Sequence, residues 1–414
     1  MRRISTLPIL VVATVLEFAS LARAQVLIMG NDIASPNSSD VAIADTRTDI
    51  DLVRPATASG SIESAIFTWS AFVCPSAVKI KVFSRHGDAL VFRGERGPFD
   101  VTGSPTTVSL TPPLVVDEGD LLGIARVANC GNPQTLTGIV SAGYVAYSGD
   151  VTGTVSLSGA GAVGTGILNV HATGPATESI ARVLPAAGST PGAGGSFFKT
   201  EVQMYNAGGS SVSGRLVYHP AGVVGSSGDP SLQFTIGADA TISYSDLVAT
   251  MGLGGLGTLD VVLPADAQVP VIVARVYNDA GAAGTSGFTE EAIDPAGTSD
   301  SRVLFAGATG FMIAPSDTTK YRFNIGIRTL LSGAFITFRV RDSSGTLLAT
   351  VSKTYDPTFY SQQPAETLLG VPIPANASIE VSVSGGSAIV YGATVDNTTN
   401  DPSIQFVRVL FAIA

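Results

Sequence analysis

The stretch GGSFFKTEVQMYNAGGSSVSGRLVYHP, residues 194–220, contains the pattern that decides the fold. On either side of a Gly-rich break, every second position is apolar or small, and most of the positions between are polar. The apolar or small positions are Phe198, Thr200, Val202, Met204, Val212, Gly214, Leu216 and Tyr218. A period of two is typical of half-buried strands, and a Gly-rich break indicates a turn. The stretch therefore predicts a strand, a turn and a second strand, arranged as a β-hairpin.

The same alternation occurs earlier in the chain. VKIKV at 78–82 and VTGTVSL at 151–157 both alternate, and turn residues such as Ser148-Gly149-Asp150 separate such runs. We find no stretch of ten or more residues with a helical apolar period in residues 26–174. Short strands at regular spacing with turns between them favour a β-sandwich or a jelly roll.

The second half of the chain contains an internal repeat. ARVLPAAG at 181–188 is similar to SRVLFAGA at 301–308, and GTLDVVL at 257–263 is similar to ASIEVSV at 377–383. The stretch at 194–220 corresponds to KYRFNIGIRTLLSGAFITFRVRD at 320–342. Each copy has the size of an immunoglobulin-type sandwich, so we expect two similar domains in series.

Several short motifs in the first copy occur in a known type of repeat. They are Leu184 to Ala187, Gly195 to Phe197, Thr200 to Asn206, Tyr218-His219-Pro220, Arg275 to Asn278 and Gly284 to Gly287. In these motifs the segment resembles a tandem repeat of secreted proteins from environmental bacteria. The resemblance implies an immunoglobulin-like sandwich without an assigned activity. The second copy departs from it, with Thr329 in place of Asn206 and Thr394-Val-Asp in place of Arg275-Val-Tyr.

These patterns together predict an all-β protein of three consecutive sandwich domains. Residues 25–178 form the first, which resembles secreted jelly rolls only loosely, through turns such as DEGDLLGIA at 117–125. Residues 179–298 and 299–414 form the two immunoglobulin-like domains.

The first 24 residues have the layout of a secretory signal peptide. Arg2 and Arg3 precede an apolar stretch that ends in the small-x-small sequence Ala22-Arg23-Ala24. Glu17 interrupts the apolar stretch, which favours a cleaved signal over a membrane anchor. We therefore predict an extracellular or cell-surface protein, with the periplasm as an alternative, and no transmembrane segment after cleavage.

Charge and cysteine content narrow the possibilities further. Residues 1–24 carry three Arg and one Glu, so the remainder has 20 basic and 32 acidic side chains and a net charge of −12. This acidity argues against nucleic acid as a partner. Cys74 and Cys130 are the only cysteines, and in an oxidising compartment they predict one disulfide, worth about 4 kcal/mol in the loop-entropy treatment.

Oxygen-rich loops are the candidate metal sites. They contain Asp117, Glu118 and Asp120, and Asp396, Asn397 and Asp401. Such loops can hold calcium, but Asp and Asn beside Gly also suit ordinary turns. The first group could alternatively supply a carboxylate pair for glycoside hydrolysis. No cofactor is expected beyond this calcium. The three histidines, His86, His171 and His219, are interpreted as exposed strand or turn residues.

Two further sets are candidate ligand-binding residues. The first is a basic cluster in the second copy, Arg322, Arg328, Arg339 and Arg341, which alternation places on solvated strand faces or on a surface for an anionic partner. The second is a set of aromatic residues that could stack on sugars, Trp69, Tyr144 and Tyr147, although Trp69 also suits the core.

The residues are compatible with three functions. We favour a secreted, non-catalytic adhesion or ligand-binding protein whose first domain binds carbohydrate. Its expected partner is an extracellular polysaccharide or a surface protein. One alternative is a secreted hydrolase that uses Asp117 or Asp120. The other is a structural component of the surface or matrix, which would assemble without a ligand.

Overall fold

A computed structural model describes residues 26–32, 36, 38–39, 46–137, 143–296 and 300–409. The predicted signal peptide lies outside these residues. The structure is 63 % strand and 5 % helix in several antiparallel sheets, so the all-β prediction is confirmed. In the part of the chain described, no helix combines the length and the hydrophobicity needed to cross a bilayer.

The first segment, residues 26–178, pairs a seven-stranded sheet with part of a larger sheet. Leu27, Phe67, Val78 and Ile80 belong to the apolar core of this segment. Its strands are β1 Val26–Gly30, β2 Ser38–Ser39, β3 Arg47–Asp51, β4 Ser59–Phe67, β5 Cys74–His86, β6 Ala89–Val101, β7 Thr106–Val116, β8 Leu121–Arg126, β9 Gln134–Thr137, β10 Tyr144–Ser148, β11 Thr154–Ser156, β12 Ala162–Gly164 and β13 Gly166–Leu168. The order in the seven-stranded sheet is β11-β6-β5-β8-β3-β10-β12, and β1, β4 and β7 belong to the larger sheet.

One long strand joins the first segment to the second. This strand, β14, spans Val170–Pro191. Its first part pairs with β1 and β4, and the part from Glu178 to Ser189 pairs with a strand of the second segment. The expected boundary between residues 178 and 179 therefore falls inside a continuous strand. Because the backbone hydrogen bonds run through this point, the two segments share one sheet.

The second segment, residues 179–296, surrounds a core that includes Leu184, Val202, Leu216 and Leu259. It comprises β15 Phe197–Tyr205, β16 Val212–Pro220, β17 Ser231–Ile236, β18 Thr241–Tyr244, α1 Leu247–Thr250, β19 Gly255–Pro264, β20 Val271–Asp279 and β21 Thr285–Glu291. β15 pairs with β18 and β20, whereas β16 pairs with β17 and β19.

The two strands predicted for residues 194–220 are present, but the prediction that they form a hairpin is wrong. β15 and β16 pair with different neighbours, and the chain crosses between them at residues 206–211. Asn206 fixes this crossing, because its side-chain amide donates to the carbonyls of Ser210, Ile236 and Gly237. Alternation identifies the buried face of a strand but not its partner.

The third segment, residues 300–409, follows the same order of pairing with longer strands. It comprises β22 Val303–Phe305, β23 Thr309–Ile313, β24 Tyr321–Arg341, β25 Leu347–Tyr355, β26 Tyr360–Pro364, α2 Ala365–Leu369, β27 Ser378–Asp396, β28 Pro402–Phe406 and β29 Arg408–Val409. Residues 321–329 of β24 pair with 388–396 of β27, and residues 334–341 pair with 378–386. These halves correspond to β15 with β20 and to β16 with β19.

Candidate functional site

A cleft of about 200 Å³ lies where the three segments meet. Arg93, Glu118 and Asp120 of the first segment line it, as do His219 and Asp260 of the second segment and Thr358 of the third. We call it the junction cleft. Since all three segments contribute side chains, the cleft exists only when they are packed together.

His219 and Asp260 form the floor of the junction cleft, and Asp229 and Arg328 extend them into a chain of four polar side chains. Asp229 Oδ2 lies 2.7 Å from Nδ1 of His219, and Asp260 Oδ2 lies 2.9 Å from Nε2 of the same ring. The carboxylate of Asp260 also accepts two bonds from Nη2 of Arg328, at 2.9 and 2.7 Å. Asp260 and Arg328 are each 1 % exposed, and they come from β19 and β24. A buried ion pair thus ties the second segment to the third.

The pKa values of the floor follow from these contacts. Burial alone would raise the pKa of Asp260, but the charges of Arg328 and His219 outweigh burial and lower this pKa to about 2. Burial alone would lower the pKa of His219, but Asp260 and the hydrogen bonds to both carboxylates raise it above 6.5. When the His219 ring is protonated, negative and positive groups alternate along the chain of four side chains, which is then neutral as a whole.

The floor does not have the arrangement of a serine hydrolase. Ser226 lines the cleft, and its hydroxyl donates to Asp229 Oδ1 at 3.1 Å. Both ring nitrogens of His219 are already bonded to carboxylates. A general base needs a free ring nitrogen facing the nucleophile, and His219 has none to offer Ser226.

The wall from the first segment holds the acidic turn. Nη1 of Arg93 lies 2.6 Å from Asp117 Oδ2 and 2.6 Å from Asp120 Oδ2. Burial raises the pKa of Asp120 to about 7 despite the charge of Arg93. Burial also raises the pKa of Glu118 well above its usual value, although the carboxylate accepts a bond from the Ile180 amide at 2.9 Å. The wall therefore carries two carboxyl groups that gain protons readily.

Two further ion pairs border the cleft. Nη2 of Arg215 lies 2.5 Å from Glu178 Oε1. Nη2 of Arg85 lies 2.9 Å from Asp356 Oδ1, which links the first segment to the third. Each guanidinium that lines the cleft is thus paired with a carboxylate, and the cleft carries no strong excess of either charge.

Most of the proposed calcium ligands already have hydrogen-bond partners within the chain. Asp117 and Asp120 bind Arg93, whereas Glu118 accepts from the Ile180 amide. In the second group, Asp396 accepts from the amides of Thr398 and Thr399 in an ordinary turn, the Asn397 amide donates to Thr319, and Asp401 is exposed. Among the described residues, no three His, Cys, Asp or Glu side chains are grouped to hold a metal ion. The geometry of both loops is that of turns.

The four arginines of the predicted basic cluster have different environments. Arg328 is not on a solvated face, which corrects the expectation, because the second segment covers that face of β24. Arg339 pairs with Glu380, and Arg341 donates to the carbonyl of Gly345. Arg322 donates to the side-chain oxygens of Asn397 and Asn400. The four side chains therefore have separate partners, and one of them is buried. Alternation shows which face a residue occupies but not what covers that face.

The three aromatic candidates lie in the interior and offer no stacking surface. Trp69 is 1 % exposed, and its Nε1 donates to the carbonyl of Cys130 at 2.8 Å. Tyr144 and Tyr147 are each 6 % exposed, and the hydroxyl of Tyr147 donates to Ser156. Stacking on a sugar needs an exposed ring face, so these residues serve the core of the first segment.

The predicted disulfide is confirmed. Cys74 and Cys130 are bonded, with their Cα atoms 5.7 Å apart. The bond closes the loop beside Trp69, and together they hold the end of β4 to the loop after β8.

The sequence pattern did not identify His219 and Asp260 as residues of the site. His86 is exposed and His171 is half-buried, but His219 is 3 % exposed, so its interpretation as an exposed residue is wrong. The available signal was Asp260 in the run LDVVL, residues 259–263, where every residue is buried. A single carboxylate inside an apolar strand requires a buried partner.

Neither a known protein family nor a curated protein matches the chain.

Proposed function

We propose that the chain is an exported, non-catalytic binding protein that takes a small, neutral, hydroxyl-rich ligand such as a saccharide in the junction cleft. The observation that carries the proposal is the cleft itself, which is assembled from all three segments over a floor of paired charges. Such a floor is organised before the ligand arrives, which lowers the entropic cost of binding.

The lining chemistry favours hydroxyl groups over a charged ligand. Ser59, Ser84, Ser226 and Thr358 line the cleft beside the paired guanidinium and carboxylate groups. Side chains that both donate and accept suit adjacent hydroxyls of a sugar ring. In the described part of the chain no Trp, Tyr or Phe lines the cleft, so hydrogen bonds rather than stacking would hold the sugar.

The same proposal covers the organisation of the chain. We interpret residues 181–409 as two copies of one immunoglobulin-like sandwich, placed after a jelly-roll-like segment. The corresponding pairing of β15 with β20 and of the first half of β24 with the second half of β27 supports this interpretation. Export is supported by the disulfide and by the signal-like start of the chain.

The test is saccharide binding by the full-length protein, measured on a glycan array and then by titration calorimetry. Ser227 is exposed and lines the cleft, so Ser227→Trp would occupy the space without disturbing the core. We expect this variant to lose binding by at least about tenfold. Ser213→Trp, at an exposed site of the same segment outside the cleft lining, is the control and should bind normally.

Two results would contradict the proposal. One is equal binding by both tryptophan variants, which would place the ligand elsewhere. The other is the absence of saccharide binding, which would favour the structural role, with self-assembly as its readout. Each measurement is made with calcium and with a chelator. We expect no difference between them, because the acidic turn is bonded to Arg93 and to the Ile180 amide.

Hydrolysis is a second candidate because Asp120 has a pKa of about 7 beside the cleft. A carboxyl group with this pKa suits a general acid near neutral pH. Release of sugar from a bound glycan, abolished in Asp120→Asn but retained in an exposed control such as Asp266→Asn, would favour an enzyme. Binding without release would favour the non-catalytic protein.

A further inference from the structure

The second and third segments meet along a contact region that we call the seam. One apolar cluster of the seam contains Val183, Ile293 and Leu330, and a second contains Ala186, Tyr360 and Tyr391. Backbone hydrogen bonds also cross it, from Gly222 to Tyr360 at 2.8 Å and from Gly225 to Thr358 at 2.9 Å. Two ionisable side chains buried in this region, His219 and Glu290, must hold a proton to suit their surroundings.

His219 is the first of them. Its two ring nitrogens lie beside carboxylate oxygens of Asp229 and Asp260, so both nitrogens must carry a proton to donate. Arg328 of β24 faces it through Asp260, and Glu118 of the first segment interacts electrostatically with Asp260. If the ring loses a proton, one carboxylate loses its donor inside a buried site, and Asp260 then holds Arg328 less well.

Glu290 is the second. It is 3 % exposed on β21, and neither carboxyl oxygen makes a well-formed hydrogen bond. The groups around it are the Ala186 amide, the guanidinium of Arg302 and the phenols of Tyr360 and Tyr391. An ionised carboxylate without partners is costly in such a site, and a protonated carboxyl group costs much less.

We propose that the seam is a proton-dependent joint, closed while His219 is charged and Glu290 is neutral, and loosened when both lose their protons. The two groups work in the same direction even though one is a base and the other an acid. His219 and Asp260 also line the junction cleft, so loosening the seam would disturb the floor of the cleft. The joint depends on contacts between the segments and does not require the ligand proposed above.

The direction of the effect follows from the pKa values of the folded protein. The pKa of His219 is raised above 6.5, so its contribution is complete below that pH and is lost as the pH rises through the folded value. Burial raises the pKa of Glu290 from 4.5 to about 8, so in the folded state its neutral form persists until the pH approaches that value. The stability that depends on this neutral form declines between these two values and then levels off.

The experiment compares thermal unfolding of the full-length protein at pH 5 and pH 9 with that of Glu290→Gln. Glutamine has the shape of the neutral acid and does not ionise. We expect this variant to unfold near the wild-type temperature at pH 5 and several degrees above it at pH 9. Glu291→Gln, at the exposed neighbouring position, is the control and should follow the wild type at both values. If both variants have the same pH dependence as the wild type, the proposal is wrong.

Hydrogen exchange in the wild type tests the joint without a substitution. After correction for intrinsic exchange rates, we expect the amides of Gly222 and Gly225 to lose protection between pH 5 and pH 9. Amides that pair β15 with β20 inside the second segment should retain theirs. Loss of protection in both places would show general unfolding, and loss in neither would show a seam without proton dependence. Either result would overturn the proposal.

Discussion

At the residue scale, single polar side chains hold the backbone where the chain changes direction. Asn206 bonds three carbonyls at the crossing from β15 to β16. Thr329, which the sequence aligns with Asn206, donates to the carbonyl of Asp356 and accepts from the Phe359 amide. The two residues differ in identity, but each side chain satisfies backbone groups where the pairing of its strand changes.

Asp260 provides the sharpest test at this scale. Asp260→Asn would leave Arg328 buried without its counter-charge, and one neutral amide oxygen would replace the two carboxylate oxygens that His219 and Arg328 share. Because an uncompensated buried charge is costly, we expect a loss of about 3–5 kcal/mol in the free energy of unfolding, measured with denaturant. Asp266→Asn, at an exposed site of the same segment, should cost less than about 0.5 kcal/mol. Equal costs for the two variants would show that the ion pair does not hold the segments together.

At the element scale, the third segment contains two long continuous strands, β24 and β27, that bend. β24 bends between its paired halves near Gly333, and β27 bends near Gly386. Both glycines have positive φ values, of 68° and 70°. A Cβ atom at position 386 would lie 2.0 Å from the carbonyl oxygen of Gly333, so the backbones touch at this point. The paired strands can pass together from one layer to the other because neither glycine has a side chain.

The bend gives a prediction with a neighbouring control. Gly386→Ala combines a left-handed backbone with a collision against the Gly333 carbonyl. We expect it to lower the free energy of unfolding by at least about 2 kcal/mol. At Gly385, an added Cβ would have its nearest contact at 3.9 Å, so Gly385→Ala should change stability by less than about 1 kcal/mol. Similar effects of the two substitutions in a denaturant titration would argue against the backbone contact.

At the scale of the whole molecule, buried acids make stability depend on pH. Burial raises the pKa of Asp49 to about 6, of Asp51 and Asp120 to about 7 and of Glu290 to about 8. Asp260 differs, because Arg328 and His219 overcome burial and lower its pKa. The acids with raised pKa values make the folded protein less stable as the pH rises. Asp260, with its lowered pKa, makes the folded protein less stable at strongly acidic pH.

We therefore expect the free energy of unfolding to fall as the pH rises from about 5 to about 8. In this range the unfolded state has already released protons that the folded state still binds, so raising the pH favours unfolding. Each such group contributes up to about 1.4 kcal/mol per pH unit between its unfolded and folded pKa values. Denaturant titrations across this range measure the slope. A free energy of unfolding that rises throughout the range would contradict these assignments.

The sequence by itself determined the fold class, the disulfide and, in residues 194–220, most of the buried strand positions. Alternation is a local property, and in an oxidising compartment two cysteines can pair in only one way within the chain. Sequence alone also singled out Asp117, Glu118 and Asp120 as a polar turn, and Asp120 borders the junction cleft.

Only the tertiary structure decided which strands pair and which charged side chains meet. One of the two partners of β16 is β19, about 40 residues away, and Asp260 pairs with Arg328 in another segment. Local periodicity is the same whether a strand pairs with its neighbour in sequence or with a distant one. Likewise, a charged residue on the outer face of one sheet is exposed or buried according to what packs against that face. The junction cleft and the seam arise from such packing, and for this reason the sequence pattern did not reveal them.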